Sequence, residues 1–429
     1  MNDGKNDGKN DGKNAVSRRW LLGVSGAAVL AAAGCGTGGG DGGPKKGSAK
    51  KSDDLKGMRA RQDRPGAEGG PVGVLGANFN EDPADIGKAT LDGAGATWVR
   101  GFVLMEEIKK GTDPLEQVAI KRLLKLRAQG FGTILSLKFQ FNKDGVTVPS
   151  PTGPRMEAEL KAVDKVLKAV LDKIDIVTIG NEPLLETHQE ERATRMNPFY
   201  QKVAAHTIAA RKDQFPKGCR TQLYMGALND LDDPVNRTAA VREWIGFVNR
   251  TPELEGVDIH PHVASAEDAT KAVNFVLGEL SEKKKFLVTE FSLIKLYKQQ
   301  MARPLPAKFV ALYKDELRLT PQTELWELLR YAEEHRLTQK QWNDLLRLSP
   351  WYERNKHFMR DQVRAYRKTD RLAVATYGVQ QAHAMVEDIR ETTPPWLLNS
   401  LYPVFTVRHT KGELPRNYTV FDDFKALQR

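Results

Sequence analysis

The sequence has few of the features by which proteins bind cofactors, metals or membranes. Its 429 residues include two cysteines, Cys35 and Cys219, so a cysteine-based zinc site is excluded and a disulfide is not expected. The longest apolar stretch, which ends at Gly34, has about 15 residues, and a membrane-spanning helix needs ~20. No Gly-x-Gly-x-x-Gly motif follows the first predicted strand, which removes the main signal for a dinucleotide cofactor.

Positive charge is modest once the N-terminal region is set apart. The formal net charge is +10, and residues 1–70 hold 13 Lys and Arg against 8 Asp and Glu, which is half of that excess. The remaining residues are only mildly basic and contain no DNA- or RNA-binding motif. We therefore expect no nucleic-acid partner.

The N-terminus resembles a bacterial export signal. Ser17–Leu22 includes the pair Arg18-Arg19 and precedes a stretch of small apolar residues, a pattern similar to a twin-arginine translocation signal. Ala32–Cys35 resembles a lipobox, in which the cysteine is lipidated after cleavage. Both matches depart from the preferred residues, at Leu21 and Gly23 in the first and at Ala32 in the second. The alternatives are an ordinary secretory signal and cleavage that releases a soluble protein.

These features predict a three-part chain. Residues 1–35 are the export signal, residues 36–70 are a flexible linker rich in Gly, Lys, Asp and Pro, and residues 71–429 are the folded domain. The resemblance implies a protein exported to the periplasm or cell surface and anchored to a bacterial membrane through a lipid on Cys35.

From residue 71 onward, short apolar runs alternate with amphipathic stretches. Seven such strand-then-helix units in order indicate a parallel α/β fold, and their spacing favours a closed (β/α)8 TIM barrel over an open sheet. The predicted strands are Val72–Phe79, Thr97–Leu104, Thr133–Phe139, Asp175–Gly180, Thr221–Ala227, Gly256–His260 and Lys285–Phe291.

The eighth strand is less clearly marked. Residues from about 294 to 390 are mostly charged and helical in pattern, so we interpret them as a helical insertion after the seventh strand. Trp396–Phe405 is then the eighth strand and Thr419–Leu427 the closing helix, with Leu372–Tyr377 as the alternative strand. The insertion either lines the cleft or forms a surface subdomain without substrate contact.

Two of the predicted strands end on a glutamate. Asn181-Glu182-Pro183 follows the fourth strand, and Glu290 ends the seventh. Carboxyl ends of barrel strands form the active-site face, and paired carboxylates are the working groups of most glycosidases. In these motifs and in strand order, residues 71–293 resemble the clan-A retaining glycoside hydrolases, which are (β/α)8 barrels, and residues 396–429 fit more loosely.

The resemblance implies a role for each matching residue. Glu182 is the general acid/base, for which we expect a raised pKa, and Glu290 is the ionised nucleophile. Asn181 binds the sugar 2-hydroxyl. The expected reaction is cleavage of β-glycosidic bonds in an oligo- or polysaccharide by double displacement, with no cofactor.

Four further residues are candidate substrate-binding groups. Arg100 resembles the second-strand arginine of the clan, where it pairs with the nucleophile; the alternative is a surface salt bridge. His260 and His262 end the sixth strand and are either site residues or structural histidines. Trp396 is either an aromatic platform for a sugar ring or a core residue.

Two other functions remain open from the sequence. A barrel that has lost its activity would bind carbohydrate without cleaving it. A metal-dependent hydrolase would use His260, His262 and a glutamate as ligands, although no third histidine has a clear position at a strand end.

Overall fold

Eight parallel strands, hydrogen-bonded in sequence order and with the last paired to the first, form a closed barrel. This architecture comes from a computed structural model, which describes residues 60–79 and 86–428. The predicted (β/α)8 fold is confirmed. The strands are β1 (Val74–Asn78), β2 (Trp98–Leu104), β3 (Gly132–Lys138), β4 (Ile176–Ile179), β5 (Gln222–Asn229), β6 (Leu254–His260), β7 (Lys285–Val288) and β8 (Leu372–Gly378).

Helices surround the barrel and follow its strands. Ser265 caps one of them, because its hydroxyl accepts from the backbone N–H of Asp268. Among the described residues, no helix has both the length and the apolar character needed to cross a bilayer. The helices are α1 (Lys88–Ala94), α2 (Met105–Lys109), α3 (Val118–Ala128), α4 (Pro154–Val170), α5 (Asn197–Gln214), α6 (Ala239–Arg250), α7 (Ala266–Glu279), α8 (Ile294–Lys298), α9 (Ala307–Leu317), α10 (Leu325–Glu334), α11 (Gln339–Leu348), α12 (Pro350–Glu353), α13 (Phe358–Lys368) and α14 (Val420–Leu427).

The eighth strand is not the one we favoured. β8 pairs with β1 from Val74↔Val374 to Asn78↔Gly378, so the alternative strand is right and the prediction of Trp396–Phe405 is wrong. Residues 396–405 form a short 3-10 turn followed by coil, and their leucines are buried. A loop that covers a barrel has the apolar composition of a strand, which explains the error. The insertion consequently ends at residue 371 and not near 390.

The helical insertion, which contains α8 to α13, begins at the rim of the barrel. Its first helix, α8, carries Lys295, whose Nζ lies 2.8 Å from Oδ1 of Asp230, directly after β5. The same helix packs beside the turn that contains Trp396. This part of the insertion therefore borders the carboxyl-terminal face.

Side chains inside the barrel form an apolar floor beneath a polar layer. Alternate residues of a strand point to the same face, so interior positions repeat every second residue. The floor consists of Val74, Trp98, Ile134, Ile176, Tyr224, Leu287, Ala373 and Val374, a cluster separate from the main core. The polar layer lies above it and consists of fully buried Arg100, Ser136, Thr178, Asp258, Thr289 and Thr376. The barrel interior is therefore polar directly below its carboxyl-terminal mouth.

Residues 60–73 cover the amino-terminal end of the barrel. The carbonyl of Asp63 accepts from Nε1 of Trp98 at 2.6 Å, and that of Gly69 accepts from Nζ of Lys285 at 2.6 Å. Residues 60–70, which the sequence assigned to the linker, therefore contact the barrel. A composition rich in Gly and Pro suits a tether, but it also leaves carbonyls free to accept from the strand ends. The twin-arginine and lipobox motifs, with Cys35, lie outside the described residues.

Candidate active site

Polar side chains converge where the strands end. Asn181 and Glu182 follow β4, His260 is the last residue of β6, and Glu290 lies two residues beyond β7. The backbone turns sharply after β4, with φ of 106° at Gly180 and 50° at Glu182. A Cβ at position 180 would lie 2.2 Å from the carbonyl oxygen of Gly226, so this turn requires glycine. The turn brings the residues after β4 to the mouth of the barrel.

Arg100 connects the strands around the site. Its side chain is fully buried, and it donates from Nε to Ser136 Oγ at 3.1 Å and from a terminal nitrogen to Asn78 Oδ1 at 3.1 Å. The same terminal nitrogen lies 2.5 Å from Oε1 of Glu290, and the other one donates to Oδ1 of Asn181. The predicted Arg100–Glu290 pair is confirmed, and the surface salt bridge is excluded.

Glu290 is held in its ionised form by its surroundings. Burial alone would raise its pKa, but the positive charges of His260 and Arg100 and a hydrogen bond from His262 lower the pKa well below the usual value of a glutamate. The imidazole Nε2 of His262 lies 3.5 Å from Oε2 of Glu290. A carboxylate that is ionised, partly exposed and fixed by a guanidinium suits the role of a nucleophile.

Glu182 faces the imidazole of His260. Nδ1 of His260 lies 3.3 Å from Oε1 of Glu182 and 3.9 Å from Oε1 of Glu290. Burial raises the pKa of Glu182, but the hydrogen bond and charge of His260 outweigh burial, so the pKa is lowered. This direction is opposite to the raised pKa that we predicted. The reason is that the sequence motif did not reveal a histidine beside this carboxylate.

His262 and Trp396 lie together beside Glu290. Nδ1 of His262 is 2.8 Å from Oγ of Ser292, and the rings of His262 and Trp396 meet edge to face with centroids 5.1 Å apart. Trp396 thus borders the site, although it lies in a turn after β8 and not on a strand. Its use as a sugar platform stays a prediction.

Three of these side chains meet a first criterion for a metal site. In the described residues, single ligand atoms of Glu182, His260 and His262 lie within 4.8 Å of one another. Tetrahedral zinc at ~2.0–2.1 Å from its ligands needs them about 3.3 Å apart. Nε2 of His262 lies 3.5 Å from the carboxylate of Glu290, and buried Arg100 already neutralises that carboxylate. The arrangement therefore fits carboxylate chemistry better than metal binding.

Several polar residues near the site were not singled out by the sequence. Oδ2 of Asp258 accepts from the hydroxyl of Thr289 at 2.5 Å, and Oγ1 of Thr289 lies 2.8 Å from Nε2 of His260. Lys138 at the end of β3 pairs with Glu186 at 2.9 Å. The available signal was position, because Asp258 and Lys138 are charged residues within or at the end of strands that are almost entirely buried.

Comparisons with known proteins give only distant likenesses. No protein-family model and no curated protein matches the chain. A GH10 endoxylanase from a sugarcane soil metagenome is similar, with 12% identity, a TM-score of 0.46 and coverage of 83% of this chain and 96% of that one. A GH10 xylanase from Bispora sp. MEY-1 with xylobiose has 11% identity, a TM-score of 0.46 and coverage of 82% and 96%. A β-mannanase from Thermomonospora fusca has 11% identity, a TM-score of 0.40 and coverage of 79% and 89%. At these values, the activity has to be inferred from the geometry of this chain's own site.

Proposed function

We propose that this chain is a retaining glycoside hydrolase that cleaves β-glycosidic bonds of an oligo- or polysaccharide. The observation that supports this proposal is that the carboxylates of Glu182 and Glu290 both lie beside the imidazole of His260. Nδ1 of His260 is 3.3 Å from Glu182 and 3.9 Å from Glu290. By these distances the two carboxylate oxygens are at most about 7 Å apart, a limit compatible with the ~5–5.5 Å of retaining enzymes.

The chemistry begins with Glu290. Its ionised carboxylate attacks the anomeric carbon, and the glycosidic bond breaks as the leaving oxygen takes a proton from Glu182. The product of this step is a sugar esterified to Glu290. Glu182, now a carboxylate, then removes a proton from water, which attacks the same carbon and releases Glu290. Two inversions leave the product with the configuration of the substrate.

The surrounding residues position these groups. Arg100 fixes one oxygen of Glu290 and also holds Oδ1 of Asn181. Because Oδ1 of Asn181 is occupied, its amide nitrogen is the group left to donate to a sugar hydroxyl. His262 contacts the second oxygen of Glu290, which orients the nucleophile from the opposite side.

The proposal predicts the stereochemistry of the reaction. We expect the wild-type protein to hydrolyse at least one member of a series of 4-nitrophenyl β-glycosides, with the β-anomer as the first product in ¹H NMR. Glu182→Ala should lower kcat/KM for a poorly activated aryl glycoside by about 10²–10⁴-fold. With a 2,4-dinitrophenyl glycoside, whose leaving group needs no acid, added azide should raise turnover in that variant and yield the β-glycosyl azide, because a small anion can enter the space of the lost carboxylate and attack the sugar esterified to Glu290.

The other candidate functions give different results in the same experiment. Tight binding of glycans with no turnover of any substrate would indicate a carbohydrate-binding barrel. Loss of activity in chelator, with recovery on added zinc, would indicate a metal-dependent hydrolase. An α-anomer as first product would rule out the double displacement.

We also propose that the protein is exported and anchored to a bacterial membrane by a lipid on Cys35. The support is the order of motifs, with Arg18-Arg19, an apolar stretch and Ala32–Cys35 in succession. We expect the full-length protein to fractionate with membranes and Cys35→Ala to appear in the soluble exported fraction. Replacing both arginines by lysine should leave the protein in the cytoplasm. Membrane association that survives Cys35→Ala would contradict the anchor.

A further inference from the structure

A chain of hydrogen bonds runs below the two glutamates. Asp258, Thr289 and His260 are each fully buried. Thr289 donates its backbone N–H to Oδ1 of Asp258 at 3.0 Å and its hydroxyl to Oδ2 at 2.5 Å. The oxygen of the same hydroxyl lies 2.8 Å from Nε2 of His260. The chain therefore connects a carboxylate in the polar layer to the imidazole that faces Glu182.

The chain has a direction. A hydroxyl carries one proton. Burial raises the pKa of Asp258, against the charges of His260 and Arg100 and two hydrogen bonds from Thr289. Because those bonds run from Thr289 to both carboxylate oxygens, Asp258 accepts and gives no proton. Because Thr289 gives its proton to Asp258, its oxygen accepts from His260, and Nε2 of His260 carries a hydrogen. The backbone carbonyl of Thr289 accepts from the hydroxyl of Thr376, which fixes this residue further.

The other imidazole nitrogen lies between the two catalytic carboxylates. Nδ1 of His260 is 3.3 Å from Glu182 and 3.9 Å from Glu290, so Glu182 is the nearer of the two acceptors. A proton on Nδ1 is therefore free to move toward Glu182. With Nε2 fixed, Nδ1 is the one nitrogen of this ring that can exchange a proton with the site.

The charges around His260 favour a proton there. Glu182 faces it from the loop after β4, Glu290 from the loop after β7, and Asp258 from β6, which also leads into His262. Arg100 on β2 and Lys138 at the end of β3 are cations near these groups. Burial lowers the pKa of His260, but the three carboxylates outweigh it and raise the pKa.

We propose that Asp258 and Thr289 are positioning residues that hold His260 so that its Nδ1 shares the acid proton with Glu182. This inference rests on the proposed role of Glu182. As Glu290 attacks, its negative charge is lost to the new bond, and the imidazolium loses a counterion. The Nδ1 proton then passes to Glu182 as Glu182 protonates the leaving oxygen. In the second step, the proton that Glu182 removes from water returns to Nδ1.

Thr289→Val tests the chain of hydrogen bonds from Asp258 to His260. Valine keeps the shape of threonine and the backbone N–H to Asp258 but lacks the hydroxyl. The substrates are phenyl and 2,4-dinitrophenyl β-glycosides of a sugar that the wild type accepts. Dinitrophenolate departs without being protonated, whereas the phenyl leaving group needs a proton on its oxygen as the bond breaks. We expect kcat/KM for the phenyl glycoside to fall about 10²-fold, while the value for the dinitrophenyl glycoside changes less than about 3-fold.

The pH profile gives a second measurement. Without the hydroxyl, the imidazolium is less stable, so the basic limb of kcat/KM for the phenyl glycoside should move to lower pH by about one unit. Thr289→Ser should restore the wild-type profile. In Asp258→Asn the new amide would donate to Thr289 and turn its hydroxyl toward Nε2, so we expect the same shift in that variant.

Two results would overturn the inference. An equal fall for both substrates with an unmoved basic limb would show that Thr289 has only a structural role. The state of the imidazole can also be measured by nitrogen NMR of protein labelled with ¹⁵N-histidine, with the resonances of His260 assigned by their loss in His260→Gln. A neutral ring protonated on Nδ1 would contradict the inference. If the wild type cleaves neither substrate, the proposed function fails instead, and the NMR result still reports the state of the imidazole.

Discussion

Glu290→Ala is expected to lower kcat/KM by on the order of 10⁴-fold or more, because no other carboxylate can form the covalent intermediate. Oε1 of Glu290 is fixed by Arg100 and Oε2 faces His262, so its removal leaves a cavity at the anomeric carbon. Azide should enter that cavity and restore turnover. Since azide attacks once and from the nucleophile's side, the product should be the α-glycosyl azide, which NMR identifies.

A surface glutamate provides the control for this variant. Glu243 lies on α6, one of the helices around the barrel, and pairs with Arg250 at the surface. Glu243→Ala should retain wild-type kcat/KM and show no response to azide. Wild-type activity in Glu290→Ala, or a β-glycosyl azide from it, would contradict the role of Glu290.

Arg100→Met is expected to have the largest effect on stability. It breaks a buried ion pair and leaves the carboxylate of Glu290 without its guanidinium, a change that costs about 3–5 kcal/mol in the free energy of unfolding. Asn78, Ser136 and Asn181 lose their donor as well. Urea denaturation, followed by circular dichroism, would measure the difference.

The same variant should also change the pH dependence of catalysis. The pKa of Glu290 is lowered by His260 and Arg100 against the effect of burial, so the ionised form persists in acid and is lost as pH falls through that pKa. In the wild type, the acid limb of kcat/KM should therefore lie below about pH 4.3, the usual pKa of a glutamate. Without Arg100 the pKa of Glu290 rises, and the acid limb moves to higher pH.

Arg127 gives a matched comparison at the opposite end of the barrel. Its Nε lies 2.9 Å from Oδ2 of Asp175, just before β4. Arg127 is partly exposed, so we expect Arg127→Met to destabilise the protein less than Arg100→Met and to leave the acid limb unmoved. An unmoved acid limb in Arg100→Met would show that Arg100 does not control the ionisation of Glu290.

The sequence was sufficient for the barrel but not for its last strand. Seven strands were predictable because parallel strands buried on both faces give short apolar runs, and helices separate them. The strand Leu372–Gly378 has the same character, yet it follows a long helical insertion that breaks the rhythm. Trp396–Phe405 is equally apolar because it lies over the barrel, and only the pairing with β1 distinguishes the two segments.

In the site, the positions of residues at strand ends predicted which of them lie together. The hydrogen bonds between side chains of neighbouring strands could not be predicted from the sequence. The pairing of Arg100 with Glu290 was implied by the resemblance to the clan. The contact of Thr289 with Asp258 depends on the register of β6 and β7, where Asp258 lies opposite Leu287. The lowered pKa of Glu182 depends on which nitrogen of His260 faces it, and no sequence pattern encodes that orientation.

The polar layer inside the barrel has an evolutionary consequence. Four of its members are hydrogen-bonded in pairs, Arg100 with Ser136 and Asp258 with Thr289. A single change leaves a buried polar group without its partner, whereas a paired change need not. We therefore expect strong epistasis among these positions, with substitutions in relatives occurring in correlated sets. The apolar floor below them should instead exchange Val, Ile and Leu one position at a time.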